Sequence, residues 1–167
     1  MKQLVFVVLL VCCSCVKQEN ITSVILENEQ INTEVIKSLS NSERALLSWY
    51  LYAYGNACEE NSTKYKCQIL KDLNIDDECD SEHLNNLLQW FSKDMLAPYK
   101  LKKCPNIASN SAIQNTFNKI ILVKEGDTLS IDYNIMGMNN SQEKSWNFDG
   151  VDKYLVEKNT LVKIAKK

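Results

Sequence analysis

Two hydrophobic periodicities divide the chain. From Ser40 the apolar positions recur at helical spacing. Ser40-Asn41-Ser42-Glu43 has the form of a capping box, in which a serine hydroxyl and a glutamate carboxylate each satisfy a free backbone N–H at a helix start. The helix it opens is predicted to run to about Ala57, with Leu47, Tyr50, Leu51, Tyr54 and Cys58 on one face and Leu46, Trp49, Ala53 and Ala57 beside them. Tyr65 to Leu73 predicts a short second helix. Asp80 or Ser81 then caps a third, in which Leu84, Leu87, Leu88, Phe91 and Met95 hold the helical period until Pro98 ends it. From about Asn115 the period becomes two. Phe117 to Val123 reads as a strand and Glu125-Gly126 as a turn, and Leu129, Ile131, Tyr133 and Ile135 alternate with Ser130, Asp132 and Asn134. Asn139-Asn140 marks another turn, Trp146 and Phe148 share one face of a further strand, and Asp149-Gly150 has the composition of a two-residue hairpin turn. Val151 to Val156 and Leu161 to Ile164 close the pattern around Lys158-Asn159. Helices followed by a run of antiparallel strands define an α+β class, with N-terminal helices packed on a curved antiparallel sheet of about four to five strands.

The N-terminal region has a different pattern. Leu4 to Val11 is an uninterrupted apolar run preceded by Lys2, long enough for the core of a signal peptide and too short to span a bilayer as a helix. Residues 1–14 are therefore expected to be a leader. Residues 15–39, where short clusters such as Val24-Ile25-Leu26 sit among Glu, Asn, Gln and Thr, are expected to be a tether, with Ile31, Val35, Ile36 and Leu39 as a short helical lead-in. Residues 40–167 are expected to form one α+β domain, since about 150 residues beyond a leader can bury a core of their own.

The run Val11-Cys12-Cys13-Ser14-Cys15 directly after the apolar stretch resembles the processing motif of bacterial lipoproteins, with Ser14 as the small residue before the acylated cysteine and Cys12 where that motif has leucine. The resemblance implies cleavage before Cys15, acyl chains including palmitate on Cys15, and attachment to a membrane of the cell envelope. Val16 lacks the aspartate that retains such proteins at the inner membrane, so the expected address is the outer membrane, facing the periplasm. With Cys15 acylated, Cys58, Cys67, Cys79 and Cys104 remain as an even set in an oxidising compartment, which predicts two disulfides. Three pairings are open; Cys58 with Cys67 and Cys79 with Cys104 would each close a neighbouring loop.

Composition narrows the chemistry. Apolar content of 45% and charged content of 24% are ordinary for a globular domain, and a formal net charge of −2 offers no field that would gather nucleic acid. No two cysteines have the spacing of a zinc knuckle, and the single histidine, His83, cannot complete one. Asp76, Asp77, Glu78, Asp80 and Glu82 gather at the start of the third helix, where negative charge suits the helix dipole, and they lack the glycine of a calcium loop. No metal or cofactor is expected. For catalysis the nominees are His83 with Asp94, and Asp132 with Tyr133. No phosphate loop, nucleophile elbow or zinc-protease motif accompanies them, and strand alternation turns Asp132 away from Tyr133. No catalytic residue is therefore assigned.

The Trp49-Tyr50-Leu51 segment, the strand around Trp146-Asn147-Phe148, Tyr154-Leu155-Val156 and Leu161-Val162-Lys163-Ile164 together resemble the nuclear-transport-factor-2-like, cystatin-like cone of uncharacterised bacterial lipoproteins, over roughly residues 40–165. That resemblance implies a cone with an interior used for catalysis, for small ligands or for protein docking; some similar periplasmic proteins are immunity factors against a secreted cell-wall amidase. The expected function is a non-catalytic, envelope-anchored protein that binds or inhibits a protein partner. The alternatives are such an immunity role, a small-ligand site lined by Trp49, Tyr50, Tyr54, Trp90 and Phe91, or a hydrolase-like enzyme of the same cone.

Overall fold

The computed structural model describes residues 20–59, 64–76, 79–91, 108 and 110–164. Cys15, Asp94, Met95, Pro98 and Cys104, and the leader as a whole, lie outside them. The described elements run β1 (Asn20–Glu27), β2 (Gln30–Ile31), α1 (Thr33–Ser38), α2 (Asn41–Tyr54), α3 (Tyr65–Asp72), α4 (Ser81–Trp90), β3 (Ile113–Glu125), β4 (Thr128–Asn139), β5 (Lys144–Glu157) and β6 (Thr160–Lys163). The strands form one six-stranded antiparallel sheet in the order β2-β1-β3-β4-β5-β6, with the helices packed against one face.

The α+β class is as expected, but the strand count is six instead of four to five. The surplus comes from the stretch expected to be tether. Residues 20–27 pair with β3 from Asn20 opposite Glu125 to Leu26 opposite Ile120, and Ile25 and Leu26 are fully buried. Val24-Ile25-Leu26 is thus a core strand. After the turn at Asn28-Glu29, β2 and α1 follow, and Ile36 is fully buried as well. Short apolar clusters separated by polar residues describe a sheet element with one wet face as well as they describe a linker.

The predicted capping box is present at α2, where Glu43 accepts from the Ser40 backbone N–H at 2.8 Å. Leu46, Leu47 and Leu51 of this helix are completely buried. Each such leucine stabilises the fold by roughly 1.5–3 kcal/mol through the apolar area it removes from water. The helix ends at Tyr54, short of Ala57, because the chain must turn at Gly55. Asn56, almost wholly buried, then clamps this end to the sheet: its Nδ2 donates to the carbonyls of Ala108 and Ile113, and its Oδ1 accepts from the Asn115 N–H. Lys66 of α3 is buried too and donates to the Gly55 carbonyl at 3.0 Å. The capped start of α4 is as expected, with the Asp80 carboxylate accepting from the His83 N–H at 2.7 Å. Its described end is at Trp90, because Phe91 is extended and bridges to Leu161 of β6; Met95 and Pro98 lie outside the described residues.

Asp149-Gly150, predicted as a turn, lies in the middle of the 14-residue strand β5, opposite Asn134 and Tyr133. The glycine is needed for a different reason. A Cβ at Gly150 would overlap the ring and hydroxyl of Tyr133, which lies across the backbone there. Gly137 is covered in the same way by Trp146, its neighbour across the ladder. Both glycines make room for aromatic rings over the backbone. Gly150→Ala is therefore expected to lower stability by about 1–3 kcal/mol through overpacking. Val151→Ala, at an exposed neighbouring position, should change it by less than about 0.5 kcal/mol. Urea denaturation followed by circular dichroism checks both.

Candidate functional site

The space between α2 and the sheet, where a cone-like cavity was expected, is occupied by side chains. Tyr50 and Tyr154 are fully buried, Tyr133 nearly so, and all three converge on the carboxyl group of Asp152. The Tyr50 hydroxyl donates to Asp152 Oδ2 at 2.5 Å, and the Tyr133 hydroxyl reaches the same oxygen at 3.5 Å. Since the one proton of Tyr50 is committed to Asp152, the 2.8 Å contact between Tyr50 and Tyr154 is a donation from Tyr154. Lys163 of β6 sits 2.9 Å from Asp152 Oδ1 and lies over the Tyr154 ring. Register builds the cluster: Gly150, Asp152 and Tyr154 alternate on the helix-facing side of β5, opposite Tyr133, Ile131 and Leu129 of β4, and Tyr154 pairs with Lys163.

Burial, with Tyr154 and Asp152 adding to it, pushes the Tyr50 phenol far above its ordinary range. Burial and the nearby Asp152 push Tyr133 up to about 12. Both phenols are consequently hydrogen-bond donors at any physiological pH, and neither serves as a base. Both Asp152 oxygens are engaged, one by phenol hydroxyls and one by an ammonium group. The arrangement joins a helix to three strands.

The pocket residues predicted from sequence are placed mostly in this core. Trp49 packs on Phe91 with ring centroids 5.5 Å apart, Phe91 meets Tyr154 edge-on at 6.2 Å, and half-buried Tyr54 stacks on Tyr133 at 5.7 Å. Trp49, Tyr50 and Phe91 are buried, and Trp90 lines a shallow groove of about 290 Å³ between α2 and α4 with Arg44, Leu73 and His83. The five do not line one cavity. A concavity of about 840 Å³ lies between α3 and α4 beside the Cys58–Cys67 disulfide and is bordered by Glu59, Lys71, Asp76, Asp80, Glu82 and His83. Among the described residues no group of histidine, cysteine and carboxylate side chains could hold a metal ion. No helix there is long and apolar enough to cross a membrane.

Cys58 is bonded to Cys67, with Cα atoms 5.8 Å apart. Cys79 is disulfide-bonded as well, while its expected partner Cys104 lies outside the described residues. His83, nominated from sequence for catalysis with Asp94, is half-buried against Tyr52 at a ring distance of 4.8 Å. Burial holds its imidazole below the usual value despite Asp80 and Asp76. Asp132 faces away from Tyr133, as alternation required, and pairs with Lys119 at 2.8 Å.

A second feature lies at the other end of β5. Pairing with β4 covers all of β5 from Lys144 to Leu155, whereas β6 pairs only from Tyr154 to Glu157. Val156 donates toward β4, to the Asp127 carbonyl, and Lys153 accepts on the β6 side, from the Ile164 N–H. Strand alternation therefore directs the N–H and C=O groups of Ser145, Asn147, Asp149 and Val151 to the side where no strand pairs among the described residues. Around this edge Trp146 is 37% exposed, Phe148 52%, Met136 42% and Met138 49%.

No family model, curated protein or solved structure matches the chain.

Sequence reading missed both features. Asp152 shares the phase of the buried Tyr154 two residues on, a signal of an inward carboxylate, but a turn placed at Asp149-Gly150 broke that phase. The cluster makes a test. Between pH 10 and 12 the native state retains phenolic protons that the unfolded chain loses, so its stability falls as pH rises through this window. Tyr50 and Tyr133 together should give a slope that steepens to about −2.4 kcal/mol per pH unit near the middle of the window, and Tyr133→Phe should reduce it to about half. Denaturant midpoints measured across the window check this.

Proposed function

We propose that this chain is a bacterial lipoprotein with a nuclear-transport-factor-2-like domain, anchored through acyl chains on Cys15 at the outer membrane. It acts without catalysis, by docking a protein partner on the open edge of β5. The observation that carries this reading is the edge itself, with alternate backbone donors and acceptors directed outward and Trp146 and Phe148 exposed on one face. An unpaired strand of this kind accepts an extended segment of another chain as an added strand, with main-chain bonds supplying affinity and side-chain pockets supplying selectivity. The filled interior supports docking over a small-ligand role, since Tyr50, Trp49 and Phe91 occupy the space a guest would need. The engagement of both Asp152 oxygens supports a structural over a hydrolytic role for this buried carboxylate.

Two measurements test the reading. Intact mass of membrane-extracted protein should show a chain beginning at Cys15 and carrying acyl groups, and Cys15→Ser should release a folded protein from the membrane fraction. A photo-crosslinking residue at position 145 should give a discrete protein adduct in intact cells, whereas the same residue at exposed position 37 on α1 should not. Equal labelling from both positions, or none from 145, would sink the docking reading.

A further inference from the structure

Resting on the reading of β5 as a docking edge, we infer that the strand it accepts is β5 of a second copy of this chain, paired antiparallel about a two-fold axis through Asn147. Faces must match across an antiparallel pair, so the two copies can meet only in registers that differ by two residues. Centring on Asn147 places Ser145 opposite the partner's Asp149 and Asn147 opposite itself. These are the residues whose backbone groups point outward, so each pair exchanges its N–H and C=O bonds. Trp146 then lies opposite the partner's Phe148 at the closer, non-hydrogen-bonded positions, where aromatic pairs contribute most. Lys144 meets Gly150, and no like charges oppose each other.

The neighbouring registers are worse. Centring on Trp146 puts Glu143 against the partner's Asp149, a like-charge contact repeated by symmetry. Centring on Phe148 brings the β4–β5 turn at Glu143 alongside Lys153, where Ile164 already donates to the strand. The edge is thus self-complementary in one register, and the pairing extends the sheet continuously across both copies. Isologous contacts of this kind close on themselves and leave no further edge of β5 to propagate.

Sedimentation equilibrium of the purified chain with its disulfides intact, over a concentration series, provides the test. A monomer–dimer equilibrium is expected, and Ser145→Pro should abolish it, because proline removes an outward N–H and leaves the β4 ladder intact. Charge at the same position reads the register. Ser145→Asp faces Asp149 twice and should weaken dimerisation roughly tenfold, whereas Ser145→Lys faces it with opposite charge and should match or exceed the wild type. Circular dichroism and the melting temperature, measured at concentrations low enough to leave the chain monomeric and expected to be unchanged in all three variants, separate this from misfolding. A monomer at every concentration overturns the inference, as does a dimer indifferent to Ser145→Pro or equal responses to the two charges. Loss of folding in Ser145→Pro also overturns it, since the outward N–H would then serve the fold of the single chain. A monomer that still gives a position-145 adduct to another envelope protein leaves the docking function standing and removes only the identity of the partner.

Discussion

The fold turns on a single buried carboxyl group. Asp152 of β5 draws α2, β4 and β6 to one point, because each contributes a donor that the carboxyl needs: Tyr50 from the helix, Tyr133 across the ladder, and Lys163 from the last strand. A buried, unpaired carboxylate would cost several kcal/mol, so every arrangement of these elements that separates them from Asp152 is penalised. Apolar contacts such as Trp49 on Phe91 contribute most of the cohesion, yet they tolerate sliding. The phenol-to-carboxyl bonds do not, and they fix the rotation of α2 on the sheet.

The same point determines where the sheet becomes open. β6 ends its pairing beside Tyr154 and Lys153, where Lys163 reaches back to Asp152. Beyond it β5 runs from Asp152 back to Lys144 with β4 as its sole described neighbour. Trp146 and Phe148 on this stretch stay partly exposed, although Asn56, just beyond α2, ties that end of the helix to Ile113 and Asn115, which lie level with Lys144 and Trp146 along the ladder.

Much of this was legible because local chemistry and tertiary context agreed. The capping box at Ser40, the Asp80 cap, the alternation along β4 and the clustering of Cys58 with Cys67 all specify the element that is found. Misreadings occurred where one residue pattern serves two structures. Asp149-Gly150 has the composition of a tight turn, but here the glycine exists to admit the Tyr133 ring, a fact about a residue far away along the chain. Val24-Ile25-Leu26 was too short to declare itself a strand, and it became one only because Ile121 and Ile120 present a complementary ladder. The apolar period of α4 includes Phe91 in sequence, but Phe91 is extended and bridges to Leu161.

The candidate site was less legible than the fold for a related reason. Its members are unremarkable one at a time: three tyrosines in apolar surroundings, one aspartate among several, one lysine near the end of a strand. They become a site through register alone, since Tyr133 faces Gly150, Ile131 faces Asp152 and Leu129 faces Tyr154. The open edge is likewise a property of pairing, visible only when the ladders of β4 and β6 along β5 are compared. The two features are linked, because the carboxyl that anchors Lys163 fixes the end of β6, and the end of β6 fixes the start of the uncovered edge. A change that loosened Asp152 would let the last strand slide along β5, and the length of edge offered to another chain would no longer be defined.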